Sequence, residues 1–192
     1  MDPRIARIGR KLAKAPYLPN RSHSFGEEHH QFRLAPPLTE QRVAQFEADQ
    51  GIDLPPAFRD FLTALGSTGA APFYRLLPLG RCTFYTMNNP TGEPDAPRGF
   101  TKADPLRPNG DLFLDIIEAG CSDLVLLGIS GPLTGRVLTG NGDGFWGPNI
   151  SSATDFLAWY ERWLDQMAVG KDNRALELTS PGVRAQRRSR NG

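Results

Sequence analysis

Residues 111–146 read DLFLDIIEAGCSDLVLLGISGPLTGRVLTGNGDGFW, and this stretch decides the fold. Asp111–Ile117 and Leu124–Ile129 have the length and branched apolar content of strands. The second is apolar on both faces (Leu124, Val125, Leu126, Leu127), as a covered central strand is. Arg136–Thr139 reads as a third strand. Asn141-Gly142 and Asp143-Gly144 are hairpin-turn dipeptides, and Phe145-Trp146 reads as the start of the returning strand. Strands thus follow one another with no helix between them. That order belongs to an antiparallel sheet in an α+β protein, not to alternating βαβ units.

Reading outward from this block adds helices on both sides. Downstream, Phe156, Trp159, Tyr160, Trp163, Leu164 and Met167 fall at i, i+3, i+4, i+7, i+8 and i+11, one unbroken apolar stripe. Ser152 with Asp155 three residues on resembles a capping box. Such a stripe is a helix laid across a sheet. Upstream, Thr39 is a good N-cap, with Leu38 and Val43 placed as a hydrophobic staple and Gly51 as the stop. A second helix opens at Pro55-Pro56, carries Phe58, Phe61, Leu62 and Leu65 on one face, and stops at Gly66. Phe73–Leu79 reads as a strand. Residues 80–110 hold five X-Pro breaks, from Asn89-Pro90 to Arg107-Pro108, and read as one long loop of the kind that often carries function. The expected fold is α+β: a mainly antiparallel sheet of about five to six strands flanked by helices.

The chain has 192 residues with a net charge of +1, unevenly spread. Residues 1–24 carry six cations and one acid, and residues 171–192 six cations and two acids. Between them lie ten cations and eighteen acids, a local balance of −8. The division this implies is a basic N-terminal arm and linker at 1–38, a folded domain at 39–169, and a basic C-terminal tail at 170–192. Ile5, Ile8 and Leu12 permit a short amphipathic helix within the arm. An acidic body repels nucleic acid and attracts basic proteins. No stretch is long and apolar enough to span a bilayer. No secretory apolar core of about 7–15 residues opens the chain. Cys82 and Cys121 do not make a disulfide framework. A cytoplasmic location with no membrane association is therefore expected.

Catalytic chemistry finds little to work with. His23, His29 and His30 all precede residue 31, so a folded body starting at 39 has no histidine for a nucleophile–base pair unless the arm folds back. Cys121, in Gly120-Cys121-Ser122, reads as a small buried residue at a turn into a strand. Glu27-Glu28-His29-His30 lacks metal-ligand spacing. Asn141–Gly144 fails as a calcium loop because the position for a bidentate Glu holds Ile150. Acid pairs such as Asp111/Asp115 or Glu93/Asp95 read as ordinary surface carboxylates. No catalytic, cofactor or metal site and no small-molecule substrate is expected. The Arg184…Arg190 cluster lacks interleaved aromatics for base stacking.

Leu54-Pro55-Pro56-Ala57-Phe58-Arg59-Asp60-Phe61-Leu62, a Gly-rich turn (Gly66, Gly69) and Pro72–Leu79 resemble the opening of the SUKH superfamily. Gly120-Cys121, the apolar strand 124–127, Ser130–Val137 and Phe156–Leu164 then follow in that family's order. The resemblance covers about residues 39–168. Leu138 departs from it, standing where the family commonly carries a Trp. The superfamily includes fungal Smi/Knr-type cell-wall-synthesis regulators and bacterial immunity proteins. The resemblance implies a non-enzymatic protein-binding domain. In the immunity reading the partner is a cognate toxin, such as a nuclease or deaminase. In the alternative reading the chain is a scaffold or regulator of a cellular complex. Candidate partner-binding residues are Phe145 and Trp146 as aromatic anchors, with Asp143, Glu93 and Asp95 as steering charges. Core packing at a strand start is the competing role for Phe145 and Trp146.

Overall fold

The structure is a computed structural model that describes residues 1–88 and 99–171. Five α-helices are α1 (Arg4–Lys14), α2 (Glu27–His30), α3 (Glu40–Gln50), α4 (Pro56–Ala64) and α5 (Phe156–Ala168). The strands are β1 (Arg75–Leu76), β2 (Thr83–Met87), β3 (Phe100–Lys102), β4 (Leu112–Asp115), β5 (Ile117–Glu118), β6 (Asp123–Gly128), β7 (Val137–Asn141) and β8 (Asn149–Ile150). Six of them form one antiparallel sheet in the order β3-β2-β4-β6-β7-β8, and β1 pairs with β5 in a second small sheet. The α+β class and the helix-flanked antiparallel sheet expected from the sequence are both present.

The large sheet is curled into a half-barrel. β3 and β7 stand four places apart in strand order. Even so, the Phe100 N–H donates to the Gly142 carbonyl at 3.2 Å. A Cβ on Gly140 would lie 2.7 Å from the Phe100 ring, so the curl depends on that glycine having no side chain. The face toward the helices carries Phe84, Leu112, Leu114, Val125, Leu127 and Val137. The inside of the curl holds a second, smaller core of Phe100, Phe113, Leu124, Leu126 and Leu138. Alternation breaks at Ile116 and Ile117, which are both buried although consecutive. There β4 ends and the chain passes to the second sheet.

Helix α5 is the centre of the main core. Phe156, Trp159, Tyr160, Trp163, Leu164 and Met167 are all buried, as the stripe predicts, but so are Leu157 and Glu161 on the other side. The cover over that other side is α1. Ile5, Ile8 and Leu12 are buried against the core, and the cations between them pair with α5. Arg4 donates to both carboxylate oxygens of Asp155 at 2.8 and 2.7 Å. Arg7 takes Glu161 in a bidentate pair, and Lys11 bridges Glu161 and Asp165. These cations hold the Glu161 carboxyl down to about 2. Residues 1–38, read from the sequence as arm and linker, therefore supply core side chains, and the core runs across residue 38 without a break. Lone cations in sequence found their acids some 150 residues away.

That packing also changes the charge balance. The chain through Lys171 carries 17 cations (22 less the five beyond it) and 19 acids (21 less two), a net of −2. Residues 1–171 together are close to neutral, because cations of α1 pair with the acids of α5 and do not form a free basic arm.

Local elements correct several further expectations. The segment 80–110, read as one loop, contains β2 and β3, whose Phe84, Thr86 and Phe100 are buried. Its prolines masked the alternation of Thr83–Met87. The strand expected at Phe73–Leu79 is only Arg75–Leu76, because Phe73 turns at φ 65° and Leu79 begins a short 3-10 turn. Asp155, not Ser152, caps α5, accepting from the Ala158 N–H at 2.8 Å, while Ser152 takes a bond from Arg162. Thr39 caps α3 as expected, and Gly51 closes it at φ 64°. Gly66 is not a left-handed stop. A Cβ there would lie 2.6 Å from Leu34 Cβ, so its role is close approach of the linker to α4.

If α1 belongs to the core, Ile8→Ala costs about 2–5 kcal/mol, as buried truncations do. Urea denaturation measures this. An unchanged midpoint would return residues 1–14 to the status of a loose arm.

Candidate functional site

The turn between β7 and β8 is built around one side chain, Asn141. It is buried, and its Oδ1 accepts the N–H groups of Asp143 and Phe145 at 3.0 and 3.4 Å. Its Nδ2 donates to Asp123 on β6 at 3.4 Å. The Asn141 N–H donates to the Trp146 carbonyl at 3.1 Å, and the Gly144 N–H to the Asn141 carbonyl at 3.0 Å. This is an Asx-type turn, in which the amide replaces missing backbone partners. The returning strand starts later than Phe145-Trp146. It begins at Asn149, after the cis Gly147-Pro148 bond.

The delay decides the exposure of the two aromatics. Phe145, freed from the sheet, is 80% exposed, Asp143 is exposed, and Trp146 is half-buried. Core packing is therefore not the role of Phe145. Ile150 on β8 is also exposed, at 49%. Its register places it in line with Leu138, Leu126 and Asp115 across four strands.

Glu93 and Asp95 lie outside the described residues, but the two ends of their segment do not. The Asn88 N–H donates to the Gly99 carbonyl at 3.0 Å. A Cβ on Gly99 would stand 3.4 Å from the Gly142 carbonyl oxygen and 3.5 Å from the Gly144 nitrogen. The curl thus brings the stem of the 89–98 segment against the turn that presents Asp143 and Phe145. The sequence separates these two stretches by some fifty residues and carries no signal of their meeting.

The groups considered for catalysis are dispersed. His30 is in the folded body after all, because the N-terminal stretch folds back. It is buried between Phe32 and Trp163, its Nδ1 accepts the Phe32 N–H at 3.0 Å, and its Nε2 has no hydrogen-bond partner. Burial lowers its pKa to about 4, so it is a neutral core residue. Cys121 is exposed at φ 51°, not buried. Cys82 is half-buried, and desolvation raises its thiol pKa, which suppresses the reactive thiolate. Asp111 packs its carboxylate over Gly131, whereas Asp115 faces the inside of the curl. Among the described residues, no three His, Cys, Asp or Glu side chains converge as a metal site. None of the described helices is long and apolar enough to cross a membrane.

Asp115, read from the sequence as an ordinary surface carboxylate, is instead turned into the protein, and among the described residues its carboxyl is the one pushed strongly upward. Its Oδ1 is buried with no partner. Desolvation raises its pKa to about 7, against the backbone N–H groups of Val125 and Ile117 that favour the charge. No family model matches the chain, and neither a curated protein nor a solved structure does.

Near pH 4 and below, the Asp115 carboxyl is neutral when folded, and the fold bears no penalty. As pH rises from about 4 toward about 7, the unfolded chain gives up this proton while the folded one keeps it, so stability falls across that window, and above about 7 the folded state holds a desolvated charge. Asp115→Asn is therefore expected to raise the thermal midpoint by several degrees at about pH 8, with the gain vanishing toward about pH 4. Thermal unfolding across that range measures it, and a gain independent of pH would contradict the assignment.

Proposed function

We propose that this chain is a protein-binding domain of the SUKH type. It acts as a bacterial immunity protein that neutralises a cognate toxin in the cytoplasm by occupying the toxin's surface. The observation that carries this reading is the Phe145 side chain. It is a large aromatic, almost fully exposed, at the tip of a turn tied down by Asn141. An exposed aromatic on a rigid support has the form of a binding anchor, since little conformational freedom remains to be lost on docking. The ordered motifs from Leu54 to Leu164 support the same reading.

Near-neutrality of the folded unit changes how the electrostatics work. Long-range steering by a whole acidic body has little basis at −2. Two acids instead stand at the anchor: Asp143 in the turn, and Asp123 on β6, which accepts from Asn141. The partner surface that fits is an apolar pocket rimmed by cations. Within about a Debye length such a rim still speeds association at low salt. A basic nuclease or deaminase face has that chemistry.

The decisive experiment is capture of the product of the adjacent reading frame, with rescue of cells expressing it. Phe145→Ala is expected to weaken capture at least tenfold, about 1.4 kcal/mol, with the thermal midpoint unmoved. Trp146→Ala, half-buried, is expected to lower both. Full affinity in Phe145→Ala, or no retention of the neighbouring product, would defeat the proposal. Recovery of a cell-wall-synthesis complex instead would identify the scaffold role.

A further inference from the structure

Helix α1 has an outward side that the core does not use. Ile5, Ile8, Leu12 and Ala15 turn inward and are buried. Arg7, Arg10, Lys14 and Tyr17 follow one another at steps of three and four residues, and all four are exposed. That spacing places them along one outward stripe. Arg7 and Lys11 are engaged by acids of α5. Arg10 and Lys14 take part in no ion pair among the described residues, and Tyr17 is 84% exposed.

The far end of this stripe meets the end of α5. The two helices run in the same direction, since Arg4 pairs with Asp155 and Lys11 with Asp165. The Ser22 N–H donates to the Met167 carbonyl at 2.9 Å, and a Cβ on Gly170 would stand 3.2 Å from the Asn20 carbonyl oxygen. The loop after Tyr17 therefore adjoins the turn after α5, which presents an exposed Val169 and an exposed Lys171. Acids at this end already have partners. Lys11 holds Asp165, Arg21 holds Glu27, and Glu28 stands between His23 and His29 at 3.9 and 3.6 Å. Beyond Lys171 the sequence adds five arginines against two acids.

An exposed aromatic and an exposed aliphatic side chain thus stand among unpaired cations at one end of the molecule. This combination fits the surface of an anionic bilayer. A tyrosine settles at the headgroup boundary with its ring in apolar surroundings and its hydroxyl wet. A cation held near anionic headgroups strengthens attachment about fivefold. Nucleic acid fits less well. One aromatic is no platform for successive bases, the arginines beyond Lys171 have no aromatic among them, and Val169 has no part in such a contact.

We propose that this end docks on an anionic bilayer surface, with Tyr17 and Val169 at the headgroup boundary and Arg10, Lys14 and Lys171 over the headgroups. The contact is peripheral. The expectation of no membrane association rests on the lack of a span, which crossing requires and surface contact does not. The leaflet that faces the cytoplasm is the anionic one. This surface shares no element with the Phe145 turn, so partner capture and bilayer attachment stand or fall separately.

Co-sedimentation of the full chain with vesicles tests the proposal. Phosphatidylcholine vesicles containing about 30 mol% phosphatidylserine are compared with pure phosphatidylcholine in about 0.1 M salt. Binding is expected to be about tenfold stronger to the anionic vesicles and to fall away in about 0.5 M salt. The double variant Tyr17→Ser, Val169→Ser keeps every charge and is expected to weaken binding about fivefold. Arg10→Gln with Lys14→Gln is expected to weaken it more than tenfold, at about fivefold for each charge. All four side chains are exposed, so the thermal midpoints are expected to stay in place. Unaltered binding by the Tyr17, Val169 variant would assign attachment to the arginines beyond Lys171 and overturn the proposal. So would equal binding to the two kinds of vesicle, or none to either. Retention of single-stranded oligothymidylate in preference to anionic vesicles, lost in the Arg10, Lys14 variant, would reassign the face to nucleic acid.

Discussion

Burial of α5 on two sides is the constraint on which the rest depends. A helix with Phe156, Trp159, Tyr160 and Trp163 on one face needs a sheet to cover it, and the curled sheet and α4 do so. The same helix carries Leu157 and Glu161 on its other face, which would be left half-covered without α1. The ion pairs of Arg4, Arg7 and Lys11 seat α1 in register over that face. Apolar burial supplies the larger part of the stabilisation, because Ile5, Ile8 and Leu12 leave water. The ion pairs are partly exposed and individually modest. They choose the position of α1 more than they strengthen it.

The curl of the sheet governs the surface. The sheet curls away from the helices, so its far face closes on itself and Phe100 lands on Gly140. That contact joins two distant stretches of chain. The β7–β8 turn and the stem of the 89–98 segment meet because β3 reaches Gly142, four strands away in sheet order. The binding surface of the proposed function is thus a product of sheet curvature, while the presentation of Phe145 is a product of one buried amide. Asp115 sits on the inner side of the same curl, where desolvation alone moves its proton affinity toward neutrality.

Features carried by local pattern were legible in the chain. The stripe from Phe156 to Met167, the Thr39 cap, the Gly51 stop and the consecutive strands of 111–139 all rest on neighbours within a few residues. The losses were of two kinds. Prolines around 90–108 hid β2 and β3, although Thr83–Met87 alternates well enough to have been read as a strand. Non-local partners were invisible in principle. Nothing near Arg7 announces Glu161, nothing near His30 announces Trp163, and nothing near Gly140 announces Phe100. The candidate site divides the same way. Asn141-Gly142-Asp143-Gly144 marked a turn, but whether Phe145 packed inward or pointed out depended on where β8 resumed pairing.

The sequence by itself determined the class of fold, the central helix and the position of the turn, because periodicity and turn chemistry act over one or two turns of chain. Only the tertiary structure decided that residues 1–38 belong to the core, that the folded unit is nearly neutral, and that Phe145 is presented to solvent. The reason is physical. Charge pairing, close approach and burial depend on distance in space, and a chain of 192 residues brings together groups whose separation along it says nothing of their meeting.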